Sequence, residues 1–482
     1  MGNEQVIPLS SLGIEGMQKY SIINTAVALQ RGHESKSNRA DIPLVFSHER
    51  GDMPILMSNS SEQANQVYVV ANSGALFMNS LFYPERRYNE RARQLTDESA
   101  ISSGTRMLVY SKKEDPFVYM TTDETKSVKI LETIAESFRR IGIELSQVYQ
   151  AVSSIDEWLD IYAGQVNILP NVLDPELLLK YAPLGRERHI RDITLANVSA
   201  YTKNGVQRLW QRSGIPTPET AYYDLGFTTR QKVQDSAMKV FANYERVVMN
   251  RVDGSGGFAT VFVSTAEIAD KLQNEEFRHQ KIQLQGMLPV INSPCYIANI
   301  YPDGSIQPLA VSVQIFSSPG RHAGNYWRRN YDFTTLAPDF EETNLAALKA
   351  LSSAGVVGQV NIDSMIVSES DSLYYGVPTT TMREANIRPA GSSVIDRLNQ
   401  GNINEKAIYA ILTSSRVCIP KEEFSNTNIL DRMDIFSTTN TQAVLYNYNF
   451  ITQMASIAFC GTEEVTEQEL LQMKQNIDTI FL

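Results

Sequence analysis

The order of apolar and polar positions predicts that strands and helices alternate in the first part of the chain. Apolar side chains recur every three or four residues from Lys126 to Ile141, and Gly142 follows, which is typical of an amphipathic helix with a glycine stop. The apolar run at 67–70 leads into a glycine turn and predicts a buried strand. This alternation predicts an α/β domain, to which we assign residues 1–194.

The middle of the chain carries a different pattern, in which short strand-like runs outnumber helices. The runs lie at 247–249, 260–263, 281–285, 296–301, 306–316, 359–367 and 373–384. Helical spacing is present at 204–212 and 341–354. The pattern predicts a second domain at 195–395. A third, small α+β unit is predicted at 396–482, ending in a helix near 463–480.

The bulk composition restricts the class of partner and the compartment. The chain has 482 residues, with 43 basic and 54 acidic side chains and a net charge of −11. A negative surface disfavours nucleic acids and anionic membranes, so any phosphate site must be local. The three cysteines show no metal spacing, and we expect neither a signal peptide nor a membrane-spanning run. These observations predict a cytoplasmic protein.

The strongest chemical signal lies near the end of the second domain. Glu384 and Asn386 are two positions apart, so on a strand both side chains face one side and suit a hard cation such as magnesium. Arg388 continues on that face, where a guanidinium is suited to a phosphate. A helix predicted to open at 391–393 offers free backbone N–H groups to an anion. Together these features indicate nucleotide chemistry.

Asp363 is a further candidate metal ligand. It lies in the run 360–367, where apolar and polar positions alternate as in a half-buried strand. An acid on a core strand needs a partner, because an unpaired buried charge is costly. Two explanations stay open: a metal shared with Glu384 and Asn386, or an ordinary salt bridge at a strand edge.

A glycine-rich turn separates the predicted strands at 247–249 and 260–263. It contains Gly254, Ser255, Gly256 and Gly257. Such a turn lets backbone N–H groups approach a phosphate closely. A plain hairpin explains the same residues, so the turn by itself does not decide between the two.

A basic loop at 321–329 stands out in an acidic protein. Its basic side chains belong to Arg321, His322, Arg328 and Arg329. They are suited to gripping a phosphate or a substrate carboxylate. The alternative is a solvated loop whose charges keep the protein soluble.

Taken in order, these segments resemble the ATP-grasp superfamily of carboxylate–amine ligases. In that family a lysine begins a helix that ends at a Gly-Ile/Val-Pro-x-Pro segment, as Lys203 and Gly214 do here. The family also carries an acid on one strand and a Glu-x-Asn-x-Arg run on the next, which match Asp363 and the run from Glu384 to Arg388.

Two positions depart from the family pattern. Asn250 stands where a strand ends in a second phosphate-binding lysine, and Gln285 replaces the glutamate that precedes the adenine hinge. A glutamine can still accept a hydrogen bond from the adenine amino group. The departures keep two alternatives open: a catalytically silent nucleotide-binding or scaffold protein, and a kinase that stops at phosphoryl transfer.

The resemblance implies a fold and an activity. The fold is α/β with an α+β core: an ATP-grasp domain at 195–395 between a pre-ATP-grasp α/β domain and a small C-terminal domain. That last domain resembles the terminal domain of the pheganomycin-type peptide ligases. The implied reaction joins the carboxylate of an amino acid or peptide to an amine through an acyl phosphate, with ATP and two magnesium ions, or manganese. The substrates are small molecules, nucleic acid and membrane are no partners, and a homodimer is expected.

The resemblance also implies roles for individual residues. The metal ligands are Asp363, Glu384 and Asn386. The ATP-binding residues are Lys203, Asn250, Ser255, Gly256, Gly257, Gln285 and Leu288. The catalytic residues are Arg388, Arg321 and His322. The substrate-binding residues are Arg328, Arg329, Gly391, Ser392 and Ser393.

Overall fold

The structure, a computed structural model, shows three sheets and eight α-helices among the residues it describes. These residues are 67–71, 104–113, 116–120, 124–152, 167–170, 203–251, 260–274, 277, 281–301, 303–318, 321–329, 331–387, 391–399, 409–416, 426–434, 437, 441–449, 454–462, 472 and 475.

The first sheet is parallel. Its strands are β1 (Val67–Ala71), β2 (Phe117–Met120), β3 (Tyr149–Val152) and β4 (Asn167–Pro170), in the order β3–β2–β1–β4. Helix α1 (Glu124–Arg139) connects β2 to β3 and buries Ile130, Leu131 and Ile134 along one face. Parallel strands joined through a helix form the α/β unit that the sequence pattern predicts.

Helix α2 (Lys203–Arg212) ends as the sequence predicts. Gly214 adopts a φ of 70°, a left-handed conformation that favours glycine, and the N–H of Ile215 donates to the carbonyl of Trp210 at 2.9 Å. Trp210 is fully buried, and its Nε1 donates to the carbonyl of Ala347 at 3.3 Å. These contacts fix the C-terminal end of α2.

The second sheet, here called the small sheet, has four antiparallel strands. They are β5 (Thr220–Asp224), β6 (Val247–Arg251), β7 (Thr260–Val263) and β8 (Lys281–Gly286), in the order β5–β8–β6–β7. Helices α3 (Arg230–Val240) and α4 (Ile268–Lys271) cover one face, where Met249 and Leu284 are buried. The opposite face of the small sheet is not covered by these two helices.

The third sheet, the large sheet, has nine strands. They are β9 (Val290–Asn292), β10 (Pro294–Ile300), β11 (Ile306–Ser318), β12 (Arg321–Arg328), β13 (Gly358–Val367), β14 (Thr380–Asn386), β15 (Tyr409–Arg416), β16 (Thr441–Asn449) and β17 (Met454–Gly461). Their order is β14–β13–β10–β11–β12–β15–β17–β16, and β9 pairs with β13. The sheet thus continues past residue 395, and the three domain boundaries stay predictions.

The two faces of the large sheet are covered differently. Helix α5 (Phe340–Ser353) packs on one face, here called the helix-covered face, against residues such as Tyr296 and Ile362. On the other face, strands β15 to β17 pack against α1, where Ser137 Oγ accepts from the N–H of Leu445 at 2.8 Å. The part of this second face formed by β10 to β14 carries polar side chains and is called the polar face.

The predicted strand at 373–384 is wrong in its first part. Helix α6 (Glu369–Tyr375) occupies it, and β14 begins only at Thr380. Ser368 caps α6 by accepting from the N–H of Asp371 at 3.1 Å, and Gly376 ends it with a φ of 64°. The cap and the left-handed glycine outweigh the strand preference of the tyrosines.

The remaining helices are α7 (Val394–Asn399) and α8 (Asn426–Asp434). The helix predicted near 463–480 falls almost entirely outside the described residues. Within the described part of the chain, no helix combines the length and the apolar character needed to cross a membrane.

Candidate functional site

Two carboxylates are direct partners on neighbouring strands of the polar face. Asp363 on β13 pairs with Glu384 on β14, and Asn361 pairs in the same way with Asn386. Residues opposed in this way hold their Cβ atoms within about 5.5 Å. The structure therefore brings the three predicted metal ligands together on one side of two adjacent strands.

A β-bulge in β14 turns Glu384 towards Asp363. Met382 pairs with Ser364 and belongs to the apolar cluster on the helix-covered face. In a regular strand Glu384, two positions later, would lie on that same apolar face. The register shifts between the two pairs, so Arg383 is an extra residue that moves Glu384 to the polar face.

The surroundings of Asp363 suit a divalent cation. Asp363 is only 5% exposed. Burial, followed by the charge of Glu384, raises the pKa of Asp363 to about 7, while Arg383 acts in the lowering direction. Two facing carboxylates that resist ionising together are stabilised by a cation between them. Among the described residues, no group of three or more His, Cys, Asp or Glu side chains forms. Asn386, which faces the same side of β14 as Glu384, stays the predicted third ligand.

Asn361, which was not predicted as a site residue, organises the segment that follows β14. Its Oδ1 accepts from Ser393 Oγ at 2.7 Å and from Ser392 Oγ at 3.3 Å. Ser392 Oγ also lies 3.4 Å from the Sγ of buried Cys295, which pairs with Asp363 across β10 and β13. The two predicted serines are thus held beside the metal ligands. Asn361 could have been found from strand alternation, since it lies two positions from Asp363.

A second bulge brings His322 to the polar face. Ile315 pairs with Gly324, whereas Phe316 pairs with His322, so Ala323 is an extra residue in β12. As in β14, the extra residue changes the face to which the preceding side chain points. Both bulges therefore re-aim a polar side chain towards the same surface.

His322 begins a chain of hydrogen bonds that runs towards β10. Its Nε2 lies 2.9 Å from Asn325 Oδ1, and Asn325 Nδ2 donates to Ser312 Oγ at 3.1 Å. Ser312 pairs with Cys295 on β10. Although His322 as a whole is exposed, partial desolvation of the ring lowers its pKa, and the hydrogen bond to Asn325 opposes that effect. A neutral imidazole is therefore favoured near pH 7.

Of the other basic residues in the loop at 321–329, only Arg328 and Arg329 have described side chains. Arg328 pairs with Tyr409, whose cluster with Ile411 lies on the opposite side of the sheet. Arg328 therefore faces away from the predicted metal ligands, and its role in substrate binding stays a prediction. Arg329 follows the end of β12, and of Arg321 only the backbone at the start of β12 is described.

The open face of the small sheet carries uncharged polar side chains. Asn250, Gln283 and Tyr222 are cross-strand partners on β6, β8 and β5. Asn250 Oδ1 accepts from Thr260 Oγ1 at 2.6 Å. Gln285, two positions after Gln283, is buried, and its Nε2 has no hydrogen-bond partner in the described part of the chain. This surface is called the neutral face.

Gln207, also unpredicted, links the neutral face to β14. Its Nε2 donates to the carbonyl of Arg383 at 2.6 Å, and its Oε1 accepts from Gln283 Nε2 at 2.7 Å and from the hydroxyl of Tyr222 at 3.0 Å. One buried side chain of α2 therefore joins the neutral face directly to the bulge. The only sequence signal is that Gln207 lies one helical turn after Lys203.

Several predicted site residues lie wholly or partly outside the described residues. Arg388, Ser255, Gly256 and Gly257 fall there entirely. Only the backbone is described for Lys203, the first residue of α2, and for Gly391, the first residue of a short 3₁₀ helix. Leu288 is described and buried just after β8. The roles of these residues stay predictions.

Several solved structures share this arrangement of sheets. N5-carboxyaminoimidazole ribonucleotide synthetase from Thermus thermophilus matches with a TM-score of 0.51 at 11% identity, covering 86% of this chain and 98% of that one. Biotin carboxylase from Campylobacter jejuni matches with a TM-score of 0.51 at 10% identity, covering 87% and 92%. The protein has the ATP-grasp fold. A carboxyaminoimidazole ribonucleotide synthase from Aspergillus clavatus, complexed with ATP, matches with a TM-score of 0.52 at 12% identity, covering 86% and 98%.

No protein-family model matches the sequence, and no curated protein matches it. At such low identity the solved structures establish the fold alone. Within the ATP-grasp fold of this chain, the large sheet supplies Asp363, Glu384 and Asn386, and the small sheet supplies neutral amides.

Proposed function

We propose that the protein is an ATP- and magnesium-dependent ligase that joins a carboxylate to an amine, with an amino acid or peptide as the carboxylate substrate. The observation that carries the proposal is the pairing of Asp363 with Glu384, beside Asn386, on the polar face of an ATP-grasp fold. Acid and amide oxygens in this arrangement are ligands suited to magnesium next to a nucleotide.

The three ligands define how a cation would act. Asp363, Glu384 and Asn386 would hold magnesium, whose charge would offset that of the ATP phosphates as a carboxylate approaches them. The carboxyl group of Asp363 must be ionised to bind the ion. Because burial and Glu384 raise its pKa to about 7, binding of the ion and loss of the proton are coupled.

The proposed reaction has two steps. First, a substrate carboxylate oxygen forms a bond to the γ-phosphorus, and the bond from that phosphorus to the bridging oxygen breaks, so that ADP leaves with the electron pair. Second, the amine nitrogen attacks the acyl carbon, the bond from that carbon to the phosphate oxygen breaks, and phosphate leaves. The amine must lose a proton, for which neutral His322 is the described acceptor on the polar face.

The serine segment lies beside the predicted metal ligands and keeps its proposed role in substrate binding. Ser392 and Ser393 donate to Asn361 from the start of a short helical segment beside the metal ligands. Arg388, which follows β14 in the sequence, keeps its proposed role of stabilising the transferring phosphoryl group.

The neutral face supports a second candidate, a protein that binds nucleotide without catalysis. Asn250 and Gln285 are uncharged where a lysine and a glutamate are expected. A silent protein would bind ATP and release no ADP with any carboxylate and amine. A kinase would release ADP and form a phosphate ester in place of an amide.

One experiment separates these functions. The protein is incubated with ATP, magnesium and a broad panel of amino acids and peptides, ADP is quantified, and products are identified by mass spectrometry. We expect ADP and an amide in equal amounts. ADP release with a phosphate ester would establish the kinase. Bound ATP without ADP release across the panel would contradict the ligase and support the silent protein.

A further inference from the structure

Arg383 lies at the β-bulge of β14, a position that the sequence pattern does not predict. As the extra residue of the bulge, it has no partner of its own in the register between β13 and β14. Its carbonyl is fixed by Gln207 Nε2 at 2.6 Å, and its side chain is half-buried. Bulges next to active sites commonly serve to aim one side chain.

The charge of Arg383 acts on two titratable groups of the polar face. Burial raises the pKa of Asp363 on β13 and lowers that of His322 on β12, and the charge of Arg383 acts in the lowering direction on both. Both of these groups point to the polar face, on opposite sides of β10 and β11 in the sheet order. Independently of these shifts, the bulge sets Arg383 immediately beside Glu384, on the edge strand of the sheet that holds the predicted metal ligands.

The position on the small sheet where a lysine is expected is held by Asn250, and on the same face the guanidinium of Arg208 lies 5.3 Å from the centre of the Tyr222 ring. Asn250 pairs with Gln283, which bonds to Gln207, which in turn bonds to the backbone of Arg383. Only two side chains thus separate the position where a lysine is expected from the bulge that carries an arginine. Asn250 itself is engaged with Thr260 and is neutral.

We propose that Arg383 binds the phosphates of the nucleotide and supplies, from the large sheet, the positive charge that Asn250 does not supply from the small sheet. A guanidinium is always charged, and its fork of donors matches phosphate oxygens. The inference rests on the proposed function, since it requires a nucleotide on the polar face. The competing arrangement is a structural one, in which Arg383 only offsets the charge of the two carboxylates.

Nucleotide titrations test the proposal. Mg-ATP and AMP are titrated by calorimetry into the wild type, Arg383→Gln and Arg383→Lys. Arg230→Gln, an exposed arginine at the start of α3, is the matched control. We expect Arg383→Gln to weaken ATP binding by about 10- to 100-fold, since it removes charge-assisted hydrogen bonds. Arg383→Lys should retain part of the affinity, and AMP, which lacks two phosphates, should be affected far less.

A rescue variant distinguishes a binding role from a structural one. Asn250→Lys is introduced into Arg383→Gln, and ATP binding and thermal stability are measured on both. Recovery of ATP affinity in the double variant is the expected result. Unchanged ATP affinity in Arg383→Gln would overturn the proposal. So would a loss of affinity that follows a loss of stability and is not restored by the lysine.

The wild-type result separates this inference from the proposed function. If the wild type binds no Mg-ATP, the nucleotide site is contradicted and the role of Arg383 falls with it. If the wild type binds and turns over ATP while Arg383→Gln binds it equally well, only the role of Arg383 is contradicted. A rise confined to the KM of the carboxylate substrate would also contradict it, because it would place the guanidinium on that substrate.

Discussion

The polar face of the large sheet and the neutral face of the small sheet differ in the charge they present. The polar face carries Asp363, Glu384 and the charge of Arg383, arranged by a bulge in β14. The neutral face carries amides and a tyrosine, tied together through Gln207. Both surfaces contain buried polar groups: on the polar face, burial and the charge of Glu384 raise the pKa of Asp363 to about 7, whereas on the neutral face burial raises that of Tyr222 to about 12.

This difference indicates that the two sheets contact different parts of a nucleotide. A face with paired carboxylates needs a cation, so nucleotide binding there should depend on magnesium. A face of amides offers hydrogen bonds without net charge, so it suits the base better than the phosphates. In this ATP-grasp chain we therefore expect affinity for phosphates to arise mainly from the large sheet.

The largest expected effect is a loss of turnover when one carboxylate of the pair, Asp363 or Glu384, is replaced. Asp363→Asn and Glu384→Gln should each lower ATP-dependent product formation by about 1,000-fold or more, because the charge that holds magnesium is lost. Glu342→Gln, on the exposed side of α5, is the matched control and should keep full activity. ADP release is measured for all three. Near wild-type turnover in either site variant would remove the polar face from the mechanism.

Breaking the link between the two faces should have the next largest effect. Gln207→Leu leaves the carbonyl of Arg383 and the amide of Gln283 without their partner, which should cost about 1–3 kcal/mol of stability. It should also weaken ATP binding by about 10-fold, because the bulge is no longer held.

The same helix offers a control for that variant. Gln211→Leu, one turn later, removes only an exposed contact with Thr217 and should change neither quantity measurably. Chemical denaturation and ATP titration are carried out on both variants. Equal behaviour of the two would mean that Gln207 does not couple the faces.

A smaller effect is expected on the choice of nucleotide base. The Nε2 of Gln285 is a buried donor without a partner among the described residues, so it can meet the 6-oxo group of guanine as readily as its Oε1 meets the amino group of adenine. Gln285→Glu removes the donor and should raise the preference for ATP over GTP by about 10-fold. The ratio of kcat/KM values for the two nucleotides measures this preference. An unchanged ratio would mean that Gln285 does not contact the base.

The last prediction concerns the dependence of stability, rather than of activity, on pH in the absence of divalent cations. The pKa of Asp363 is raised from 3.8 to about 7 in the folded protein. Between these two values the folded protein holds a proton that the unfolded chain has lost, so stability falls as pH rises through this range and levels off above about 7. In EDTA, the wild type should therefore be less stable than Asp363→Asn at pH 8, and the difference should shrink by pH 5. A difference that does not change with pH would contradict the coupling with Glu384.

Much of this site can be predicted from the residues themselves. The two-residue spacing of Glu384 and Asn386 and the alternation around Asp363 suffice to predict a shared surface, because side chains alternate on any strand. The helix that begins at Lys203 and ends before Gly214 is likewise local, since it depends on periodicity and a left-handed glycine.

Other features of the site could not be predicted from local sequence patterns. The bulges at Arg383 and Ala323 exist only relative to the partner strands, so alternation within one strand could not identify them. The bonds of Gln207 join segments far apart in the chain. Helix α6 was missed because a cap and a glycine, rather than its apolar residues, decide its conformation.

The comparison between the two faces is tested most directly by calorimetry of ATP binding to the wild type, with magnesium and with EDTA. If the polar face supplies the affinity for phosphates, removal of magnesium should weaken binding by about 100-fold. Asp363→Asn should bind weakly under both conditions. ATP binding of equal strength with and without magnesium would contradict the division of roles between the two sheets.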